Sequence, residues 1–295
     1  MPETLAPPHA GATPEPPPWD LVIAADAHPM SLRLGEMWRY RDLLWLLARR
    51  DVVTLYKQTV LGPAWYILQP LLTALLYVVI FSQVARLSTD GIPPVLFYLG
   101  GVVYWGFFAE SLSATADSFV KNADLFQKVY FPRAVVPAAT VLAGGLKFAI
   151  QCGLLLAFVA YYALVEGYAP ELSWYTLAVP ALAVVAGVLG LGVGLLCSSL
   201  TYKYRDLQYL VAFGVQLLMY ATPVIYPLSS APAWLAPVLQ ANPMTSLVEA
   251  FRYCTLGAGT VTVAGLGYSL AVATLTLALG LVNFNRAERH FADTV

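Results

Sequence analysis

The sequence predicts an all-α membrane protein in which an amphipathic interface helix precedes six transmembrane helices. Three observations support this fold class. Hydrophobic residues make up 59% of the 295 residues and charged residues only 11%, whereas soluble domains carry about 25% charged residues. Apolar stretches of roughly 20 residues, the length that crosses a bilayer as a helix, recur along the chain. Lysine and arginine are concentrated on one set of the connecting segments, as the positive-inside rule requires.

Residues 1–30 are predicted to form a disordered, proline-rich cytoplasmic tail. Eight prolines fall in this segment, and proline cannot continue a helix. The segment also offers little apolar surface to bury. It lacks the basic start and apolar run of a signal peptide, so we expect the amino terminus to stay in the cytoplasm.

Residues 31–60 are predicted to form an amphipathic helix that lies in the membrane interface. Apolar residues recur at spacings of mostly three or four from Leu34 to Tyr56, and basic residues fall largely on the other face. The alternative is a soluble amphipathic helix packed on a domain, but no soluble domain is evident nearby. Gly62 and Pro63 then favour a hinge and the start of the next helix.

The six-span permease domain is predicted at 61–295. Its apolar stretches run approximately over 64–86, 95–116, 134–163, 175–199, 207–227 and 261–284. The segment at 228–257 is too interrupted by prolines to span, so we expect short re-entrant or surface helices there. Small residues permit close helix packing, and the fourth stretch carries them at Gly187, Gly190, Gly192 and Gly194.

The distribution of basic residues predicts that both termini are cytoplasmic. Thirteen of the 16 lysines and arginines fall on the interface helix and on the other segments of the same side. Arg86 and Arg252 fall on the outer side, and Lys147 lies within a span. This asymmetry is the positive-inside signal of six spans with both termini on the inner side.

Catalytic and metal-binding patterns are missing from the sequence. No phosphate loop of the form G-x-x-x-x-G-K-[ST] is present, the histidines lie only in the tails, and the three cysteines lack metal-ligand spacing. An intramembrane glycosyl- or acyltransferase would need clustered acid and base residues. We therefore predict no catalytic residue, metal or cofactor on this chain, and an energy source on another chain. The net charge of −1 gives no reason to expect a nucleic-acid partner.

Two ionisable residues fall inside the predicted spans. Glu110 lies in the second span and Lys147 in the third, where charges are costly and usually face a bundle interior or an aqueous path. They indicate either a polar pore or charge pair between spans, or a structural polar contact at a helix or subunit interface. Direct pairing of the two is not predicted, because they need not lie at the same depth.

Aromatic side chains crowd the first two spans. Those near span ends are typical of interfacial anchors. A sugar chain that crosses a membrane also needs flat amphipathic surfaces, which tyrosine and tryptophan provide. The aromatics are therefore either interfacial anchors or part of a conduit, and the sequence does not separate the two. The candidate conduit residues are Trp65, Tyr66, Tyr77, Tyr104, Trp105, Phe108, Glu110 and Lys147.

The segment at about 118–132 is predicted to be a short cytoplasmic helix ended by Pro132. Its apolar and aromatic side chains, taken as exposed beside lysines, indicate a docking surface for a soluble partner. The alternative is a helix that rests on lipid headgroups. The predicted docking residues are Asn122, Leu125, Phe126, Lys128, Tyr130, Phe131 and Arg133.

Several short motifs occur in order along the chain. They are LGPAW at 61–65, NADLFQKVYFPR at 122–133, YKYRDL at 202–207, TPVIYP at 222–227, NPM at 242–244 and EAFR at 249–252. With the span count, they make the chain resemble the transmembrane permease subunits of type-2 ABC exporters. The resemblance is to the branch that exports polysaccharides such as O-antigen or teichoic acid, and it covers nearly the whole chain beyond the tail.

The resemblance implies a homodimer associated with two copies of a separate ATPase subunit, which binds ATP and Mg. It implies that the helix at 34–56 and the helix at 121–131 contact the ATPase, the second as coupling helix. It also implies that 228–257 forms short periplasmic gate helices and that the channel carries a lipid-linked, O-antigen-like polysaccharide outward. The alternative is a permease of a drug or small-lipid ABC exporter, which shares the six-span plan.

Overall fold

A computed structural model describes residues 34–57, 60–122, 125–126, 131–168, 170, 174–201, 204 and 206–294. The predicted tail at 1–30 lies outside these residues. Within the described ranges the chain is all-helical and contains no strand. The helices are α1 Leu34–Arg39, α2 Arg41–Lys57, α3 Trp65–Tyr77, α4 Pro94–Ala116, α5 Ser118–Lys121, α6 Val135–Val165, α7 Val179–Thr201, α8 Leu207–Tyr220, α9 Ala236–Ala241, α10 Pro243–Leu256 and α11 Val263–Thr294.

Five helical segments of the described chain are long and apolar enough to cross a membrane. They are Gly62–Val84, Pro94–Ala116, Val135–Val165, Trp174–Thr201 and Val263–Arg286. The first combines a 3-10 turn, α3 and a π-helical stretch at Val78–Val84. These segments agree with five of the six predicted spans to within a few residues at most ends.

The remaining predicted span, at 207–227 and fifth in chain order, is helical only over the 14 residues of α8. A helix of this length rises about 21 Å, less than the roughly 30 Å of a hydrocarbon core. Pro223 explains the early end, because proline disfavours helical backbone in the residue before it. Residues 222–225 instead form a buried turn.

The predicted interface helix is two helices rather than one. α1 ends at Arg39, Tyr40 forms a turn, and α2 continues to Lys57. α2 packs against α6 and buries Leu47 and Ala48 there. Trp45 lies on the other face and is exposed. α2 therefore packs against the bundle with one narrow face, and its opposite face, which carries aromatic and basic side chains, is exposed.

α7 packs closely between α4 and α11, and its glycines make this packing possible. A Cβ atom added at Gly190 would lie 2.8 Å from the Cβ atom of Ser111 on α4. One added at Gly192 would lie 2.5 Å from the backbone nitrogen of Leu277 on α11. Both distances are shorter than a van der Waals contact, so any larger residue would push the helices apart. The glycine-rich stretch predicted to pack does so.

α10 lies inside the bundle and not on its surface. It packs against α4, α7 and α11, and 11 of its 14 residues are buried. Its start is capped by Asn242, whose side chain accepts a hydrogen bond from the backbone nitrogen of Met244 at 3.0 Å. Its end is fixed by Gly257, which has a φ of 74°. Of the two predicted arrangements, re-entrant or surface helices, the burial of α10 fits the re-entrant one.

Candidate functional site

Two cavities lie beside one another along the bundle. The first, the basic cavity, has a volume of about 670 Å³ and is bordered by α2, α3, α4, α5 and α6; its charged lining residues are Arg50, Asp51, Glu110, Lys121 and Lys147. The second, the aromatic cavity, has a volume of about 400 Å³; its lining includes Gln69, Thr73, Tyr77, Trp105, Glu110, Lys147 and Gln151. Glu110 and Lys147 line both cavities, so they stand at the boundary between them.

The side chains of Glu110 and Lys147 form an ion pair. Lys147 Nζ donates to Glu110 Oε2 at 2.8 Å, and the two side chains are 21% and 42% exposed respectively. The expectation that they would not pair is therefore wrong. Glu110 lies six residues before the end of α4, and Lys147 lies 12 residues after the start of α6. Lys147, although well inside α6, comes level with Glu110 near the end of α4.

Tyr66 contacts the ammonium group of Lys147, and Gln151 holds Tyr66 in place. Lys147 Nζ lies 5.5 Å from the centre of the Tyr66 ring, within the range of a cation–π contact. Gln151 is buried and donates from Nε2 to the backbone oxygen of Tyr66 at 3.1 Å. α3 is thereby joined to α6 next to the charged boundary, and the Tyr66 ring is held under the ammonium group.

Five of the eight residues predicted for a conduit line these cavities. Tyr66 lines the basic cavity, Tyr77 and Trp105 line the aromatic cavity, and Glu110 and Lys147 line both. Trp65 is half exposed on the outside of α3 and is not among the lining residues.

The remaining two, Tyr104 and Phe108, are packed inside the protein instead. The Tyr104 ring stacks on Phe251 with ring centres 4.5 Å apart, and its hydroxyl donates to the backbone oxygen of Leu182 at 2.8 Å. Phe108 is also buried. Because the part of α4 that carries Tyr104 and Phe108 is apolar on every face, its sequence does not reveal which aromatics face a cavity. The structure therefore places Tyr104 and Phe108 in the core of the bundle, whereas the sequence analysis placed them among the conduit residues.

The segment predicted to dock a partner is partly anchored in the bundle. α5 ends at Lys121, and the Asn122 side chain donates to the backbone oxygen of Ser118 at 3.1 Å. Phe126 and Phe131 are buried and not exposed as predicted, and Leu125 is half-buried. Lys128 and Tyr130, also predicted to dock, lie outside the described residues.

An aromatic cluster explains the burial of Phe126 and Phe131. Phe119 of α5 stacks on Phe284 of α11 with ring centres 4.3 Å apart, and Phe126 lies 5.8 Å from Phe119 and 6.0 Å from Phe131. The guanidinium carbon of Arg133 lies 5.5 Å from the Phe126 ring centre. These rings fix the segment to α11 and leave Phe126 and Phe131 without the exposure that a docking role requires.

A buried ion pair on α10 was missed by the sequence reasoning. Arg252 donates from Nη1 to Glu249 Oε1 at 2.7 Å and from Nη2 to the backbone oxygen of Pro223 at 2.8 Å. Its guanidinium carbon also lies 4.0 Å from the centre of the Phe97 ring on α4. The backbone nitrogen of Thr260 donates to Glu249 Oε2 at 2.8 Å. The EAFR motif contained the signal, since opposite charges three residues apart face each other on a helix.

Further hydrogen bonds join α10 to the same region. Asn242 donates from Nδ2 to the backbone oxygen of Ala221 at 3.0 Å and to Thr222 Oγ1 at 2.8 Å. The hydroxyl of Tyr168, in the loop after α6, donates to the backbone oxygen of Leu256 at 2.9 Å; burial raises the pKa of this tyrosine. The turn after α8 is therefore bonded to α10 through Asn242 at the start of the helix and through Arg252 near its end, and the loop after α6 is bonded to its last residue.

Several membrane-length helices, two adjoining cavities with a charged boundary and a buried helix between the last two apolar segments are features of a multi-span α-helical membrane protein. The chain belongs to the ABC-2 type transporter family, whose model matches residues 42–256. This match confirms the family that the sequence motifs indicated.

Three relatives place the chain within the family. It is 30% identical over 264 residues to the O-antigen export system permease protein RfbA of Klebsiella pneumoniae, covering 90% of this chain and 98% of that protein. It is 30% identical over 219 residues to the protein of the same name from Myxococcus xanthus, covering 74% and 81%. It is 23% identical over 247 residues to the polysialic acid transport protein KpsM of Escherichia coli, covering 81% and 91%.

Proposed function

We propose that this chain is the channel-forming permease subunit of an ABC exporter that moves a lipid-linked, O-antigen-like polysaccharide from the cytoplasm across the bacterial inner membrane. The observation that carries the proposal is the 30% identity over 90% of this chain with an O-antigen export system permease. The polysaccharide-related names of the other relatives support the same substrate class.

The lining of the two cavities supports this substrate. Gln69, Thr73 and Gln151 offer hydroxyl or amide groups, and Tyr77 and Trp105 offer ring faces. Such a mixture suits a polysaccharide. Aromatic rings stack on the apolar faces of sugar rings, and side-chain amides form hydrogen bonds with sugar hydroxyls. The conduit proposed here therefore keeps Tyr66, Tyr77, Trp105, Glu110 and Lys147.

We infer that the working form is a homodimer associated with two ATPase subunits. α3 and α8 support this, since both leave large apolar surfaces uncovered. None of the residues described in α8, 207–220, is buried, and the aromatic cavity opens beside α3 and α8 at Tyr77 and Met219. A second copy of the chain placed against α3 and α8 would cover these helices and close the open side of the aromatic cavity, which would make it a channel.

The proposed topology has six spans with both termini in the cytoplasm, α8 and the turn after it forming the fifth span. The basic residues support this orientation, because Arg50 and Lys121 lie at one end of the bundle, around the basic cavity. At the other end, Arg252 is buried in an ion pair and Arg86 is exposed. In this orientation α1 and α2 lie at the cytoplasmic membrane surface with Trp38 and Trp45 exposed.

ATP hydrolysis is proposed to take place on the partner subunit, which would bind ATP and Mg, so that this chain needs no cofactor. The segment at 118–133 is the proposed contact with that subunit. Its anchoring by Phe126 and Phe131 supports this role, because a rigidly held segment transmits a partner's movement to α11 and α4. Asn122, Leu125, Lys128, Tyr130 and Arg133 remain the proposed contact residues.

Deletion of the gene for this chain tests the proposal. The expected result is loss of a surface polysaccharide, with accumulation of its lipid-linked form inside the cell, and recovery on complementation. Unchanged surface polysaccharide with altered resistance to drugs would contradict the proposal and favour the drug or small-lipid exporter.

A further inference from the structure

Three basic side chains converge on the basic cavity. Arg50 comes from α2, Lys121 from α5 and Lys147 from α6. Each already has a carboxylate partner: Arg50 Nη2 lies 2.9 Å from Asp51 Oδ1, and Lys121 Nζ lies 2.8 Å from Asp117 Oδ2. Ion pairs between exposed side chains contribute little to stability, because solvent screens them. A stronger anion inside the cavity would therefore compete successfully for these cations.

Glu110 is held by fewer contacts than Glu249, a buried carboxylate of α10. Among the described residues it accepts a hydrogen bond from Lys147 on Oε2, and its side chain is 42% exposed beside the two cavities. Glu249, in contrast, is 3% exposed and accepts hydrogen bonds on both oxygens. A carboxylate held by one contact beside open space can turn away into that space, whereas Glu249 cannot. Lys147 therefore has an exchangeable counter-ion.

We propose that the basic cavity is a binding site for a phosphate or diphosphate group, and that Lys147 exchanges Glu110 for that group. The ammonium groups of Lys147 and Lys121 and the guanidinium of Arg50 supply the donors that phosphate oxygens prefer. The identification of the group as the headgroup of a lipid carrier rests on the proposed function. The site itself rests on the cavity and its charges.

This arrangement gives Glu110 and Lys147 opposite effects. Since both residues line both cavities, an anionic group that enters the basic cavity meets the pair before it reaches the aromatic cavity. Lys147 attracts the group, and Glu110 competes with it for the lysine and repels it. Removal of the lysine should therefore weaken anion binding, whereas removal of the carboxylate should strengthen it. A pair with only a structural role gives the same sign for both changes.

The test measures binding to the full chain in nanodiscs of neutral phosphatidylcholine, in the absence of any ATPase. The probes are inorganic pyrophosphate and farnesyl diphosphate, with farnesol as the uncharged comparison. The variants are Lys147→Gln, Lys147→Arg and Glu110→Gln. Arg86→Gln, a change of equal charge at an exposed residue outside both cavities, is the matched control. Thermal unfolding of each variant reports on folding.

We expect Lys147→Gln to weaken diphosphate binding by about tenfold or more, the size of a lost hydrogen bond between charged groups. Lys147→Arg should retain binding, Glu110→Gln should tighten it several-fold, and Arg86→Gln should leave it unchanged. Binding of both diphosphates means that the site recognises the phosphate groups alone; binding of farnesyl diphosphate alone means that it also needs the chain. Either result supports the site.

Three results would overturn it: no binding of either diphosphate, equal binding by Lys147→Gln and the unchanged chain, or weaker binding by Glu110→Gln. The experiments also distinguish an error in the proposed phosphate site from an error in the proposed export function. If cells with Lys147→Gln export no polysaccharide while the purified variant binds normally, the site is wrong and the export function stands. If deletion of the gene leaves surface polysaccharide unchanged while diphosphate binding follows the expected order, the function is wrong and the site stands.

Discussion

Arg252 and Glu249 form an ion pair of 2.7 Å in which the two side chains are only 4% and 3% exposed. Burial of charges is costly unless each is paired and hydrogen-bonded. Here the pair also binds the carbonyl of Pro223 and the backbone nitrogen of Thr260. One side-chain pair thus joins α10 to the turn after α8 and to the loop that follows α10.

We predict that Arg252→Gln strongly destabilises the protein. The change leaves the Glu249 carboxylate buried without its cation, which typically costs about 3–5 kcal/mol. Thermal unfolding in detergent should show a clear fall in Tm, and Glu249→Gln combined with Arg252→Gln should restore part of it. Arg50→Gln is the control, because it breaks an exposed pair and should leave Tm almost unchanged. Equal Tm values for Arg252→Gln and Arg50→Gln would contradict the prediction.

Gly192→Ala is predicted to force α7 and α11 apart. Its new Cβ atom would lie 2.5 Å from the backbone nitrogen of Leu277, and backbone cannot move aside as a flexible side chain can. We expect a loss of about 1–3 kcal/mol, the usual cost of overpacking, measured by thermal unfolding. Gly153→Ala on α6 is the matched control, since nothing lies within 4 Å of its added Cβ atom. The packing account fails if both variants unfold at the same temperature.

Neighbouring residues of the proposed contact segment should respond differently to substitution. Phe126→Ala removes a buried ring from the cluster with Phe119 and Phe131, so we expect a loss of stability of about 3–5 kcal/mol. Leu125 is only half-buried, and Leu125→Glu should preserve folding.

The functional effect of Leu125→Glu is measured in the complex with the ATPase. The expected result is continued ATP hydrolysis with a large fall in polysaccharide export. Export at the unchanged rate, with normal protein levels, would show that Leu125 does not contact the partner.

The sequence predicts the positions of five membrane-length helices to within a few residues at most ends, because hydropathy and length alone determine which segments can span. Contacts within the bundle are harder to predict. Tyr104 and Trp105 are adjacent, yet Tyr104 stacks in the core and Trp105 borders a cavity. A stretch of helix that is apolar on every face gives no pattern from which its rotation follows. The pairing of Glu110 with Lys147 likewise depends on how α4 and α6 are placed along one another, which neither helix reveals by itself.

Inverted membrane vesicles, whose cytoplasmic face is outside, test the central claim most directly. The vesicles contain this chain and its ATPase partner and are supplied with lipid-linked polysaccharide, and the measurement is protection of the polysaccharide from an added glycosidase. The account predicts protection that requires ATP and that is lost in vesicles without this chain. Equal protection in vesicles that lack the chain, or protection without ATP, would contradict it.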